Sequence, residues 1–306
     1  MNLKKWLAVY IYLEGSFEYY LSKRVLPLAR KLKRQKYIDK YFFIRYSDIG
    51  PHIRLRFYGS SHNIERYVKP QLELWLNSLQ IEDVIHYNIL KYVYQDYEPE
   101  YSRYGEEQAM TIAETQFYSS SQTILKAITY KSEDYNSWAI GFALKMHLCF
   151  IMSTGLCRSE AEILLQDVFK SWLFSATQIL KNIDNTSYLE KSETIIQAFE
   201  NNYDKQKKNL GIGLDNFLSK IRNEDFKNIG WAKSWITTSK KTHKDLNKLL
   251  YQGKLFADWN FEVQESYKII FIYGSYIHMT NNRLGILNID EAFIAFLLLK
   301  LLDKVY

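Results

Sequence analysis

The chain opens on a two-residue alternation. Leu7, Val9, Ile11 and Leu13 are separated by Ala8, Tyr10 and Tyr12, the period of a strand with one buried face. Gly15-Ser16 breaks it, and Ser16 is placed to cap a helix reaching about Lys36, along which Leu21, Val25, Leu28 and Leu32 recur at helical spacing. Tyr41 to Asp48 and His52 to Tyr58 read as the next two strands, divided by the turn Ile49-Gly50-Pro51. Gly59-Ser60-Ser61 ends the third strand. Asn63 to Leu79 then reads as a second helix kinked by Pro70, and Val84 to Gln95 as a fourth strand.

This order predicts an α+β fold that begins with a ferredoxin-like βαββαβ antiparallel sheet. Strands one and three are expected at its centre, with helices on one face. Strand three then sets Ile53, Leu55 and Phe57 under the helices and His52, Arg54 and Arg56 on the opposite face. Strand one adds Tyr10 and Tyr12 to that second face, and a slip of one residue would exchange the faces. After Pro99 the pattern is helical over 105–129, 135–153, 158–182, 187–208, 214–222, 240–252, 262–281 and 289–304, with Gly211, Gly213 and Gly230 marking loops. The expected organisation is a ferredoxin-like region, 1–104, and a helical region, 105–306, as one integrated domain. The helical part is expected to pack on the open sheet face and turn it into a cleft.

Composition sharpens this division. All four prolines precede residue 100, which leaves the rest free for long helices. Residues 1–104 hold 17 Lys and Arg against 11 Asp and Glu, whereas residues 105–306 balance at 23 of each. The positive excess of +6 therefore lies in the first third, which is expected to face something anionic. Aromatic residues reach 16%, enough to line a large interior or cleft. Two cysteines, Cys149 and Cys157, exclude a disulfide scaffold and Cys-rich zinc modules and suit a reducing cytoplasm. The apolar run from Trp6 to Leu13 is short for a signal peptide, and Phe293 to Leu299 is far below the ~20 residues of a membrane span. The expectation is a cytoplasmic protein with no membrane span.

No Gly-rich dinucleotide or phosphate loop, H-E-x-x-H, paired C-x-x-C or G-x-S-x-G elbow occurs, and the six histidines are scattered, so neither cofactor nor metal is expected. Three clusters carry candidate chemistry. Arg45 to Arg56 puts two arginines on one face of a central strand. Such forks match carboxylates, and unpaired burial there would be costly. Asp96 to Gly105, with Arg103, follows the fourth strand, and Tyr276 to Gly285, with His278, ends an apolar helix. Read alone, each has an ordinary structural counterpart: a salt-bridge ladder, a polar loop, a hydrogen-bonded structural histidine.

Taken together the clusters resemble the C-terminal elimination domain of lantibiotic dehydratases, which also occurs as a separate protein in thiopeptide pathways. The resemblance rests on Trp6 to Leu21, Phe42 to Phe57, Tyr97 to Gly105 and His278 to Gly285, and in the middle of the chain on helical character alone. It implies one of two activities. One branch removes glutamate from glutamylated Ser or Thr of a precursor peptide to leave dehydroalanine or dehydrobutyrine. The other joins two dehydroalanines by aza-[4+2] cycloaddition into a pyridine and expels the leader peptide. The essential arginines and histidine of the elimination branch fall on Arg54, Arg56, Arg103 and His278, a full set that the pyridine-forming branch does not keep. The resemblance also implies two partners: a ribosomally made precursor with its leader, and a separate glutamylating enzyme that uses glutamyl-tRNA.

Elementary chemistry agrees with elimination. The leaving glutamate is rich in anionic oxygen, which Arg54 and Arg56 suit, with His52, Tyr10 and Tyr12 beside them as substrate-binding candidates. Removing a Cα proton builds enolate charge that Arg103 is suited to stabilise. Moving a proton near neutrality suits an imidazole, and His278 is the candidate, either taking the Cα proton or protonating the leaving group, with Tyr10, Tyr12 and Tyr104 as candidate partners. A different class, an RNA-binding module, also uses a βαββαβ sheet. That module wants aromatics on strand three where this chain has His52, Arg54 and Arg56, and direct contact with nucleic acid is not expected.

Overall fold

The computed structural model describes residues 3–79, 86–128, 134–181, 188–257 and 265–306. Four strands, β1 (Lys4–Gly15), β2 (Lys40–Tyr46), β3 (His52–Ser60) and β4 (Tyr87–Gln95), form one antiparallel sheet in the order β2-β3-β1-β4. The two central strands are the first and third, as the βαββαβ order predicts. Residues 84–85 of the expected fourth strand lie outside the described residues.

Each βα connection repeats one device. Ser16 Oγ accepts the Tyr19 N–H (3.1 Å), and Ser60 Oγ accepts the Asn63 N–H (3.2 Å), so a serine caps each helix start. After the first cap, α1 (Phe17–Tyr20) passes through a π-helical turn at Leu21–Val25 into α2 (Leu26–Arg34). After the second, α3 (Ser61–Asn63) passes through a π-helical turn at Ile64–Val68 into α4 (Lys69–Leu79). A proline, Pro27 or Pro70, is the second residue of each following helix. The residue before it bonds five positions back, Leu26 N–H to the Leu21 carbonyl and Lys69 N–H to that of Ile64. The widened turn relieves the clash of a proline ring with the preceding turn of an α-helix. Pro70 thus acts through a π turn.

The helix-covered sheet face is dry. Val9, Ile11, Leu13, Ile53, Leu55 and Phe57 are fully buried there with Leu21, Val25, Leu32, Leu72 and Leu76, and each such side chain contributes roughly 1.5–3 kcal/mol. Gly15 ends β1 at φ +93°, and a Cβ there would meet the His86 carbonyl at 2.5 Å. No other residue fits that crossing without movement.

By its contacts the chain divides into two compact units, Met1–Tyr101 with Ala113–Glu133, and Ser102–Ile112 with Asp134–Tyr306. Helix α5 (Tyr101–Tyr104) precedes α6 (Glu106–Ile128), which contributes to both units. Its part from Ala113 onward belongs to the sheet unit. Ser121 Oγ accepts the Phe43 N–H (3.3 Å), Lys40 Nζ donates to Thr115 Oγ1 (3.2 Å), and Phe117 packs 5.3 Å from Phe42. This covers the β2 edge, which would otherwise present unpaired backbone groups.

The second unit is helical: α7 (Tyr135–Ser153), α8 (Arg158–Lys181), α9 (Tyr188–Arg222), α10 (Gly230–Tyr251), α11 (Glu265–Leu284) and α12 (Asn288–Leu301). Helices α7 and α12 are apolar around most of their circumference and lie innermost, α12 against α8 and α7, and α10 against α7. Two expectations are corrected here. Gly211 and Gly213 do not break the chain into two helices; they lie inside the 35-residue α9. A helical glycine costs only ~1 kcal/mol, and the buried Leu214, Phe217, Leu218 and Ile221 anchor the turns beyond it. Helix α10 begins at Gly230, ten residues before the expected start. Buried Ala232 and Trp235 hold its first turns, and Trp235 Nε1–H donates to the Met146 carbonyl (2.8 Å). Among the described residues no helix is long and apolar enough to cross a membrane. Cys149 is buried and Cys157 exposed, both as free thiols.

Candidate functional site

The sheet register sets the first group of candidates on one face. Tyr10 pairs with Arg54, Tyr12 with His52 and Ala8 with Arg56, and on the other side of β3 Ile44, Tyr46 and Phe42 pair with Arg54, His52 and Arg56. The Arg54 guanidinium lies 3.4 Å from the Tyr46 ring centroid and 4.6 Å from that of Tyr10. Arg54 Nε–H donates to His52 Nε2 (3.1 Å). Aromatic faces and His52 thus hold the plane and one edge of the guanidinium, and the two terminal nitrogens form the remaining fork.

His52 supports this arginine. Its Nε2 accepts from Arg54, so its Nδ1–H donates to the Gly50 carbonyl (2.9 Å), and its ring stacks on Tyr12 (4.6 Å) and Tyr10 (5.7 Å). Burial holds its imidazole below the ordinary value against the pull of the Gly50 carbonyl, and the nearby Arg54 charge adds to the lowering. His52 is therefore neutral, with both ring nitrogens occupied.

Arg56 is 7% exposed, its guanidinium about equidistant from the rings of Phe42 (5.1 Å) and Tyr97 (5.0 Å). Burial lowers its pKa, and its Nε–H has no hydrogen-bond partner among the described residues. Neither Arg54 nor Arg56 forms an ion pair with a described carboxylate, although Arg45 on the same sheet pairs with Glu18 at 2.5 Å. Glu114, on α6, accepts from Trp6 Nε1–H (3.0 Å). Burial raises its carboxyl above the usual range against the pull of Lys40.

The helical unit gathers the second group. A cavity of about 460 Å³ is lined by Arg103 from α5, Lys170 and Trp172 from α8, and Tyr267, Ser275 and His278 from α11. The two residues singled out as catalytic candidates, 175 positions apart in sequence, thus line one cavity. The His278 ring stacks on Trp172 (4.6 Å, 30°), and its Nδ1 lies 3.1 Å from both carboxylate oxygens of Glu291. Glu291 is 1% exposed, in the first turn of α12. Burial raises its carboxyl, and hydrogen bonds from His278 and Asn281 oppose the rise. Asn281 Nδ2–H donates to Glu291 Oε2 (3.2 Å), and Asn281 Oδ1 lies 2.8 Å from His147 Nε2. Nearby, Tyr135 Oη–H donates to the Leu284 carbonyl (2.8 Å) and ties the end of α11 to the start of α7. Tyr104 is buried, its ring stacked on Tyr276 (5.8 Å, 16°).

Residues 6–302 match the family described as lantibiotic biosynthesis dehydratase C-term. The chain belongs to this family. Over 124 residues it is 31% identical to the subtilin biosynthesis protein SpaB of Bacillus subtilis, a stretch covering 40% of this chain and 12% of SpaB. Its fold is similar to that of TsrL, with a TM-score of 0.66 at 15% identity over 99% of this chain and 96% of TsrL. Similar too is the pyridine synthase TbtD from thiomuracin biosynthesis, with a TM-score of 0.64 at 15% identity over 98% and 99% of the two chains. The tRNA dependent lantibiotic dehydratase MibB from Microbispora sp. 107891 gives a TM-score of 0.61 at 18% identity over 95% of this chain and 28% of MibB. The chain therefore spans a minor part of SpaB and of MibB. At these identities the structural likenesses establish a shared fold.

Several supporting residues had no strong sequence signal. Trp172 lies in the helical middle of the chain. Glu291 reads as an ordinary first-turn acid, and Tyr46 as part of a strand end. Among the described residues no group of three or more His, Cys, Asp or Glu is arranged to hold a metal ion.

His147 gives the helical unit a pH signature. Burial lowers its imidazole from the ordinary 6.5 to about 4. Between those values the unfolded chain binds a proton that the folded chain does not. Its contribution is thus fully present above 6.5 and is lost as pH falls toward 4, by about 3 kcal/mol. His147→Gln keeps an N–H donor for Asn281 without the titration. Thermal unfolding of this variant should lose less stability over that interval than wild type, and an unchanged pH slope would contradict the assignment.

Proposed function

We propose that the protein eliminates glutamate from glutamylated Ser or Thr of a precursor peptide, giving dehydroalanine or dehydrobutyrine without a cofactor. The observation that carries this reading is His278, held at Nδ1 by the buried Glu291 and lining a cavity together with Arg103. β-Elimination needs a group that moves a proton near neutrality and a cation where enolate charge builds, and these residue types supply both. The sheet unit supports the reading independently. A leaving glutamate carries two carboxylates once the ester C–O bond breaks, and Arg54 offers a forked donor with no described carboxylate of its own.

In this assignment Arg54 and Arg56 hold the glutamyl group, and Tyr10 and Tyr12 flank it. His52 keeps Arg54 in place. Arg103 stabilises negative charge on the peptide carbonyl, and His278 carries the proton. The substrate is a ribosomally made peptide with its leader, and a separate enzyme drawing on glutamyl-tRNA supplies the glutamyl ester. The second reading, a pyridine synthase that joins two dehydroalanines and expels the leader, draws on the likeness to TbtD over 99% of that chain. It gives no role to an arginine fork suited to a carboxylate.

Purified protein mixed with a pre-glutamylated peptide, with no tRNA, nucleotide or metal added, is expected to yield the dehydrated peptide. A requirement for glutamyl-tRNA in this isolated step would overturn the assignment.

A further inference from the structure

The pairing of His278 with Glu291 goes beyond supplying a histidine, because the hydrogen-bond chain behind it has a direction. Asn281 bridges two groups, with its amide nitrogen on Glu291 and its carbonyl oxygen on His147. His147 is buried and neutral, so it donates its Nε2–H to the Asn281 carbonyl. Asn281 then donates to Glu291, which accepts from it. His278 Nδ1, equally distant from both oxygens of Glu291, completes the set as a second donor. Two donors converge on the carboxylate in the first turn of a 14-residue helix, where the helix dipole favours negative charge.

We infer that Glu291 is the positioning residue that holds neutral His278 as its Nδ1–H tautomer, so that Nε2 offers a lone pair to the cavity and His278 acts as the base that removes the Cα proton. The inference rests on the elimination reading and decides between the two roles open to the histidine. The described residues give Nε2 no hydrogen-bond partner, and the Trp172 ring restrains the imidazole plane. In the step, Nε2 takes the Cα proton and the imidazole becomes imidazolium. The C–H electron pair passes through the enolate to become the Cα–Cβ double bond. The Cβ–O bond breaks, and its electron pair leaves with the glutamate carboxylate. Glu291 then faces an imidazolium at 3.1 Å, and the ion pair stabilises the charge the step creates. The imidazolium returns its proton to water after release.

The test uses ¹⁵N-histidine-labelled full chain with Glu291→Gln and Glu291→Asp, at a pH where the imidazole is neutral. The wild type is expected to show His278 with a protonated Nδ1 and an unprotonated Nε2. Glu291→Gln, which can turn its amide N–H toward Nδ1, is expected to lose that single tautomer. In single-turnover elimination from a glutamylated peptide, Glu291→Gln is expected to fall at least about tenfold in rate with KM little changed, and Glu291→Asp to recover part of the loss. A wild-type His278 protonated at Nε2, or a Glu291→Gln enzyme with wild-type tautomer and rate, would overturn the inference. If the tautomer behaves as expected while the wild type leaves glutamylated peptide untouched, Glu291 still positions His278 and the elimination reading is what fails.

Discussion

Replacing His278 with alanine is expected to slow elimination from a glutamylated peptide by about 10²–10⁴-fold, the usual contribution of a general acid–base group. Glutamylated peptide should accumulate, and peptide binding should persist. The side chain sits at a cavity wall with 23% of its surface exposed, so its removal does not hollow the core. It does take one of two side-chain donors from the buried Glu291, at a cost of roughly 1–3 kcal/mol, and thermal unfolding should register that smaller change. His52 is the internal control. Its Nε2 is occupied by Arg54 and its Nδ1 by the Gly50 carbonyl, so it has no free nitrogen with which to carry a proton. His52→Ala should act through a loosened Arg54, mainly on KM. Single-turnover rates decide the matter: a His278→Ala enzyme within about threefold of wild type beside a crippled His52→Ala would move proton transfer to the sheet.

The second large effect is expected at Arg54. Arg54→Lys keeps the charge but loses the planar fork, the stacking between Tyr46 and Tyr10, and the Nε–H bond to His52. A charge-assisted hydrogen bond is worth ~1.5–3 kcal/mol, so kcat/KM for the glutamylated peptide should fall by about ten- to a hundredfold. Arg56→Met serves as a companion. Arg56 is a nearly buried cation with an unpartnered Nε, and replacing such a group with an apolar side chain of similar size often leaves stability equal or higher. Arg56→Met is therefore expected to fold as well as wild type while turning over poorly. Near-normal kcat/KM in Arg54→Lys and Arg56→Lys would make both arginines structural.

The sheet and its arginine-bearing face were legible because β-structure has a period of two. Once Leu7 to Leu13 and Ile53 to Phe57 are placed inward, the opposite parity of Tyr10, Tyr12, His52, Arg54 and Arg56 follows, and the register confirms it. Ser16 was legible as a cap for a similar local reason. What escaped depends on contacts far apart in sequence. Glycines at 211 and 213 look like punctuation, but burial of Phe217 and Leu218 outweighs their small helical cost. A proline at position 70 reads as a kink, and nothing local distinguishes a kink from a π turn. In the helical unit, Arg103 and His278 were marked by their clusters, but Glu291 and Trp172 come from separate helices and become partners of His278 only when α8, α11 and α12 pack. Asn281 lay within the marked cluster, yet its bridging role needs His147 from a fourth helix.

Elimination and pyridine formation differ in the substrate consumed, which for elimination is the glutamylated peptide. Mass spectrometry separates the two when the protein is incubated in parallel with a precursor glutamylated at Ser or Thr and with the same precursor already carrying dehydroalanines. The expected result is loss of glutamate from the first, with the leader still attached, and no change in the second. An untouched glutamylated precursor, beside a dehydroalanine-bearing one that cyclises and sheds its leader, would contradict elimination and assign the chain to pyridine formation.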